Sequence, residues 1–139
     1  MRDRIAAAGA VALAVILSAC GPPSQAQIAS TAVVTVNGVE AKMSSVRCSQ
    51  LEWTRTIDIG GQYSGATAVI DEHAEPITAR SVRIRNMGNF TGMYSQGGDG
   101  DASATLTNDT FAITGTANGS KADKTNEPMT ATFKISAKC

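Results

Sequence analysis

Three cysteines, Cys20, Cys48 and Cys139, carry the thiol chemistry available to this chain of 139 residues. A thiol can accept a lipid, pair in a disulfide, ligate a metal or act as a nucleophile. Cys48 and Cys139 are isolated and lack CxxC spacing, which disfavours a metal or catalytic role for them. Because an odd count in an exported protein would leave one thiol unpaired, the surroundings of each cysteine must decide its role.

Residues 1–19 have the three-part form of a bacterial export signal. Arg2 and Arg4 make a short cationic start, and residues 5–17 form an uncharged apolar stretch. That stretch is shorter than the ~20 residues that a membrane-spanning helix needs. It ends in Leu-Ser-Ala-Cys at Cys20, which resembles a lipobox, so residues 1–19 are predicted to be a lipoprotein signal peptide. The alternatives are an ordinary signal peptide before a coincidental cysteine, or a buried Ala-rich helix.

A lipobox predicts that Cys20 receives a diacylglycerol, is freed by cleavage and often gains a further acyl chain. Two or more acyl chains suffice for stable anchoring, where one would be marginal. We therefore expect a membrane partner, with the protein held on the extracytoplasmic face of the cell membrane, either within the envelope or exposed at its surface. Residues 20–31, with two prolines and several serines and glutamines, are predicted to be a lipidated flexible tether.

The other polar clusters favour plain structural interpretations. With 12 basic and 12 acidic residues and no basic run, the chain lacks the surface that a nucleic-acid partner requires. His73 lies in the polar segment 71–76, but catalysis would need a second group and a pocket, so a solvated loop is favoured. Asp99 and Asp101 lack the ligand spacing of a calcium loop and indicate a Gly-rich turn. We expect no catalytic residue, metal or cofactor.

The elements that position these residues are predicted to be short strands across residues 32–139. Thr and Gly are abundant, apolar and polar residues alternate, and long repeats of 3.6-residue period are missing. About eight short strands predict a mostly β domain, an antiparallel β-sandwich or curled sheet with little helix. Asn37-Gly38 predicts a type I′ hairpin turn, and Asn108-Asp109 a second turn.

Three segments depart from this regular alternation, and each gives a separate prediction. Trp53 shares a strand face with Ile57 and Ile59, which favours a place in the core, and a position at a lipid-binding mouth is the alternative. Residues 66–70 are an apolar run that fits either a strand or a helix. A loop rich in Lys, Asp and Asn is expected to reach Pro128, before the last strand.

The strand pattern also pairs the two remaining cysteines. Cys48 shares inward parity with Val46, and Cys139 shares it with Phe133 and Ile135. In an oxidising compartment the pair predicts a structural disulfide. Closing a loop of about 90 residues would stabilise the fold by ~4–5 kcal/mol in chain-entropy terms.

The order and spacing of several short motifs from residue 33 to Cys139, together with the lipobox, resemble the mycobacterial 19 kDa lipoprotein antigen family. The motifs are Ile57-Asp58-Ile59-Gly60-Gly61, Gly65-Ala66-Thr67-Ala68-Val69, Ser81-Val82-Arg83-Ile84, Gly100-Asp101-Ala102-Ser103-Ala104, Ile113-Thr114-Gly115-Thr116-Ala117, Asn126-Glu127-Pro128-Met129 and Phe133-Lys134-Ile135. The resemblance implies an envelope-anchored antigen or adhesin rather than an enzyme, whose acylated N-terminus is sensed by host Toll-like receptor 2. Some members are glycosylated on Thr near the N-terminus, whereas this tether offers only Ser24, Ser30 and Thr31.

Arg83 and Arg85 project from one face of a predicted strand, with Arg80 nearby. They form a candidate envelope-contact face for anionic lipid head groups or polysaccharide, against the simpler interpretation of an ordinary polar sheet face. Our first hypothesis is a non-enzymatic, lipid-anchored antigen or interaction module. The alternative is a lipid or glycolipid carrier, which requires an apolar cavity in the β domain.

Overall fold

The computed structural model describes residues 31–139, which fold into ten β-strands and contain no helix that could cross a membrane. The predicted mostly β class is confirmed, with ten strands where about eight were expected. The predicted signal peptide 1–19, Cys20 and the tether up to residue 30 lie outside the described residues. The strands are β1 (Ala32–Val36), β2 (Val39–Met43), β3 (Val46–Leu51), β4 (Thr54–Gly60), β5 (Gly65–Asp71), β6 (Thr78–Met87), β7 (Phe90–Ser95), β8 (Ala102–Thr107), β9 (Thr110–Lys121) and β10 (Lys124–Lys138).

All strand pairs are antiparallel, in the order β2-β1-β10-β9-β7-β6-β5-β4-β3, with β8 added on β9. The long strand β9 branches the sheet. Residues 110–115 pair with β8, residues 118–121 pair with β7, and β10 follows its other side throughout. Branching at one strand lets the sheet curl over a single core.

The core is built by period-2 alternation, which puts apolar side chains on the inner face and polar ones on the outer face. Strand β1 shows this directly, since Ala32, Val34 and Val36 are buried while Val33 and Thr35 are half-buried. Eight of the 22 buried apolar residues are alanines, so few large side chains fill the interior. The buried residues are Ala32, Val34, Val36, Ile57, Ile59, Ala66, Ala68, Ile70, Ala79, Val82, Ile84, Met87, Phe90, Tyr94, Ala104, Phe111, Ile113, Ala117, Ala131, Phe133, Ile135 and Ala137.

Both predicted tight turns are present. Asn37 and Gly38 have φ angles of 49° and 81°, the positive pair that a type I′ turn requires. Asn108 and Asp109, at 50° and 65°, form the equivalent turn between β8 and β9. Asn37 also ties its hairpin to β10, because its amide donates to the Thr132 carbonyl at 2.9 Å and its Oδ1 accepts from the Thr132 amide at 3.0 Å.

The predicted loop up to Pro128 is wrong. Strand β9 continues to Lys121 and β10 begins at Lys124, so only a two-residue turn and an irregularity between Lys124 and Pro128 remain. The polar residues 118–121 stay extended because they pair on both sides, with β7 and with β10. Tertiary pairing here outweighs the low strand propensity of Asn, Gly and Lys.

The predicted burial of Trp53 is also wrong. Strand β4 begins at Thr54, and Trp53 lies in the turn after Leu51, where it is 57% exposed. Ile57 and Ile59 are fully buried, so the alternation predicted for this segment holds only inside the strand. Residues 66–70, which fit either a strand or a helix in the sequence, belong to strand β5.

Candidate functional site

The disulfide predicted between Cys48 and Cys139 is present, with 5.8 Å between the two Cα atoms and 91 residues between the two positions. Strand β3, which carries Cys48, is the outermost strand of the sheet and pairs only with β4. Cys139 follows β10, and its amide donates to the Asp109 carbonyl at 3.1 Å. The bond therefore ties an edge strand to the end of β10, a strand that pairs on both sides.

The outer face of β3 to β6 carries a cross-strand row of polar residues. Arg47 of β3 lies opposite Asp58 of β4, Asp58 opposite Thr67 of β5, and Thr67 opposite Arg83 of β6. Arg85 projects from the same face of β6, two residues further on. Side chains on one face of neighbouring strands interact directly, so this row is one continuous surface.

Arg85 is fixed in place by hydrogen bonds. Its Nη1 donates to Thr67 Oγ1 at 2.8 Å, its Nε to the Gly61 carbonyl at 3.1 Å, and its Nη2 to the Ile59 carbonyl at 3.3 Å. The same Nη2 lies 3.5 Å from Asp58 Oδ1, and the side chain is only 18% exposed. Arg85 therefore holds the end of the β4–β5 hairpin and keeps its positive charge at this outer face.

Arg47 and Arg83 are exposed, and within residues 31–139 no hydrogen bond or ion pair engages their side chains. Together with Arg85 they border an open recess of about 570 Å³, which we call the arginine recess. Its lining residues are Arg47, Asp58, Gly61, Gln62, Thr67, Arg83 and Arg85. Three guanidinium groups against one carboxylate give this surface an excess positive charge.

The structure brings the predicted Arg83 and Arg85 together, while Arg80 is exposed and does not border the recess. Sequence reasoning missed Arg47. Its side chain joins the other two only through the register of four strands, and the alternating pattern alone does not show that register. The outward parity of Arg47, between the half-buried Val46 and Cys48, was the one available indication.

The remaining polar candidates serve turns. The His73 amide donates to Asp71 Oδ1 at 2.8 Å, and the exposed His73 ring meets the Trp53 ring edge-on, with 5.7 Å between centroids. Thr116 Oγ1 donates to Asp101 Oδ1 at 3.1 Å, which closes the Gly-rich turn before β8. In the part of the chain that the structure describes, no three His, Cys, Asp or Glu side chains cluster as metal ligands.

A curled antiparallel sheet closed by one disulfide, with its polar side chains on the outer face, defines a small disulfide-closed β-domain protein. The sequence matches the profile of the Mycobacterium 19 kDa lipoprotein antigen family over residues 25–139, and the chain belongs to this family. The resemblance inferred from the motifs is thus confirmed. Membership makes the chain a lipoprotein associated with the membrane of the cell envelope.

Several relatives carry lipoprotein names. The chain is 55% identical over 139 residues to a lipoprotein of Mycobacterium indicus pranii, and the match covers all of both chains. It is 33% identical over 141 residues to the lipoprotein LppE of Mycobacterium tuberculosis, again over all of both chains. It is 33% identical over 108 residues to the lipoprotein LpqH of Mycobacterium avium, a match that covers 76% of this chain and 66% of the relative.

Proposed function

We propose that this lipoprotein is held on the extracytoplasmic face of the membrane by acyl chains on Cys20, and that its β domain is a non-enzymatic antigen and interaction module. Family membership and the lipobox sequence support the anchor. The family is described as a lipoprotein antigen and the relatives bear lipoprotein names, which supports a role in display rather than turnover. The outer surface of residues 32–139 is then the part that meets partners.

The observation that carries the proposal is the filled interior. Buried side chains from eight of the ten strands form one apolar cluster. A carrier needs an enclosed apolar space of several hundred Å³. The recesses along the described surface open to solvent, and the one of about 570 Å³ is bordered by arginines. The geometry thus favours display over lipid transport. Stoichiometric lipid retained in native mass spectrometry even after Arg47 and Arg83 are replaced by Gln would contradict this choice.

The resemblance also leads us to propose Toll-like receptor 2 as a host partner, through the acyl chains and not through the β domain. This divides the molecule into two functional parts. The lipidated N-terminus is sensed, and the disulfide-closed domain is presented at the envelope. The two parts can be separated by a change at Cys20 alone.

The variant Cys20→Ala tests the anchor. We expect it to lose palmitate label, to lack the cleaved and acylated N-terminal peptide in mass spectrometry, and to lose Toll-like receptor 2 stimulation. Ser24→Ala is the matched control, because it changes the same segment without removing the thiol, and it should keep all three properties. Persistent label on Cys20→Ala, or a native N-terminal peptide without acyl chains, would refute the anchor.

A further inference from the structure

The arginine recess combines one immobilised cation with two accessible ones. Arg85 is held by Thr67, Gly61 and Ile59, so its guanidinium is already ordered before any ligand arrives. Arg47 and Arg83 are the exposed cations on either side of the row. Guanidinium groups bind phosphate oxygens well because their planar fork of donors matches them. Arg47 and Arg83 offer such forks, while Arg85 adds a positive charge that is already ordered, which lowers the entropic cost of binding.

Asp58 is the one acidic side chain that borders the recess, and it is engaged within the protein. Its Oδ1 accepts from Thr67 Oγ1 at 2.9 Å and lies 3.5 Å from Arg85 Nη2. These contacts place Asp58 with Arg85 rather than with Arg47 or Arg83. Two positive charges therefore remain uncompensated at the rim, and an anion of one or two charges complements them.

The chain enters the β domain close to this recess. Ala32, the first residue of β1, pairs with Met43, and the Cε atom of Met43 lies 2.8 Å from the position that a Cβ atom would take on Gly60. Gly60 also donates to the Ser45 carbonyl at 2.8 Å, and the next residue, Gly61, borders the recess. The recess and the start of the domain therefore lie at the same end of the molecule.

Chain length limits how far that end can lie from a membrane that holds Cys20. Twelve peptide steps separate Cys20 from Ala32, which limits the separation to about 40 Å even for a fully extended chain. Tethering makes contact with a head group an intramolecular event, so a weak intrinsic affinity is enough for occupancy. Anionic membrane surfaces attract basic groups within about a Debye length, ~8 Å at physiological salt.

We propose that the arginine recess binds the phosphate of an anionic lipid head group in the membrane that carries the anchor, which orients the β domain on that membrane. This inference rests on the proposed function for its location, and on Arg47, Arg83 and Arg85 for its chemistry. Phosphate is the chemistry recognised. Because the recess lies beside the start of the β domain, which the tether links to the membrane, we assign this phosphate to a lipid rather than to free phosphate.

The test uses the full chain in neutral micelles and follows the arginine Nε–H signals by NMR. The protein is titrated separately with water-soluble dihexanoyl phosphatidylglycerol, with dihexanoyl phosphatidylcholine and with inorganic phosphate. Phosphatidylglycerol should bind, and should move the Arg47 and Arg83 signals. The double variant Arg47→Gln/Arg83→Gln should bind it at least about tenfold more weakly, the effect of losing one or more charge-assisted hydrogen bonds. Arg80→Gln, an exposed arginine of β6 outside the recess, is the charge-matched control and should bind normally.

Four results would overturn the proposal: no binding of phosphatidylglycerol, equal binding of phosphatidylcholine, equal weakening by Arg80→Gln, or inorganic phosphate bound as tightly as the lipid. The last result would assign the recess to free phosphate. Since the probes are soluble, the titration gives the same answer with Cys20→Ala. A parent protein that binds phosphatidylglycerol but carries no acyl chains would therefore contradict the anchor alone, and an acylated protein that does not bind it would contradict the recess alone.

Discussion

Arg83 and Arg85 lie on one face of the same strand and have the same side chain, but they have different roles. Arg85 donates to two backbone carbonyls and to Thr67 Oγ1, so it takes part in the structure of the β4–β5 hairpin. Arg83 is exposed and contributes charge to the recess. Burial and hydrogen bonding, rather than residue type, separate a structural cation from an available one.

This difference predicts unequal effects on stability. Arg85→Gln removes several hydrogen bonds made by a mostly buried guanidinium and should lower the free energy of unfolding by about 1–3 kcal/mol. Arg83→Gln changes an exposed side chain and should stay within about 0.5 kcal/mol of the parent protein. Urea unfolding followed by circular dichroism measures both. Equal effects of the two variants would show that the hydrogen bonds of Arg85 add no stability.

The strands show where sequence patterns succeed and where pairing takes over. Alternation correctly predicts strands in β6 and β8, where Val82, Ile84 and Ala104 are buried between more exposed polar neighbours. It does not predict the polar end of β9, since residues 118–121 are kept extended by β7 and β10 rather than by their own preferences. The same limit applies to the site. That Arg83 and Arg85 share a face can be predicted from the alternation of one strand. That Arg47 joins them can be predicted only from the register of four strands.

The close approach of β7 and β9 at Gly119 predicts that a larger side chain there would disturb the pairing of the two strands. A Cβ atom on Gly119 would lie against the Thr91 carbonyl and 2.5 Å from the Gly92 Cα atom, both part of the backbone of β7. Gly119→Ala should therefore force the two strands apart and destabilise the protein by about 1–3 kcal/mol. Hydrogen exchange should show lost protection at residues 118–121 in particular.

Gly61→Ala is the matched control for Gly119→Ala, because a Cβ atom there meets nothing within 4 Å. It should leave both the midpoint of unfolding and the exchange pattern unchanged. Unaltered protection of residues 118–121 in Gly119→Ala would mean that β7 and β9 accommodate the methyl group without separating.

For the molecule as a whole, a core rich in alanine has to support a domain of ten strands. Eight of the 22 buried residues are alanines, and each buries less apolar area than a Leu or Phe would. A domain with a modest core gains proportionally more from a covalent crosslink. The Cys48–Cys139 bond closes almost the entire folded part of the chain, from an edge strand to the last residue.

The disulfide should therefore supply much of the stability of the whole domain. Because it closes a loop with a sequence separation of 91 residues, its removal in Cys48→Ser/Cys139→Ser should cost up to ~4–5 kcal/mol in the chain-entropy estimate. Thermal unfolding with and without reductant measures this in the parent chain, and the double variant should match the reduced protein. Cys20→Ser provides the control, since it removes a thiol that lies outside the crosslink and should keep the response to reductant. A double variant that unfolds at the temperature of the oxidised parent would show that strand pairing and the apolar core hold the domain unaided.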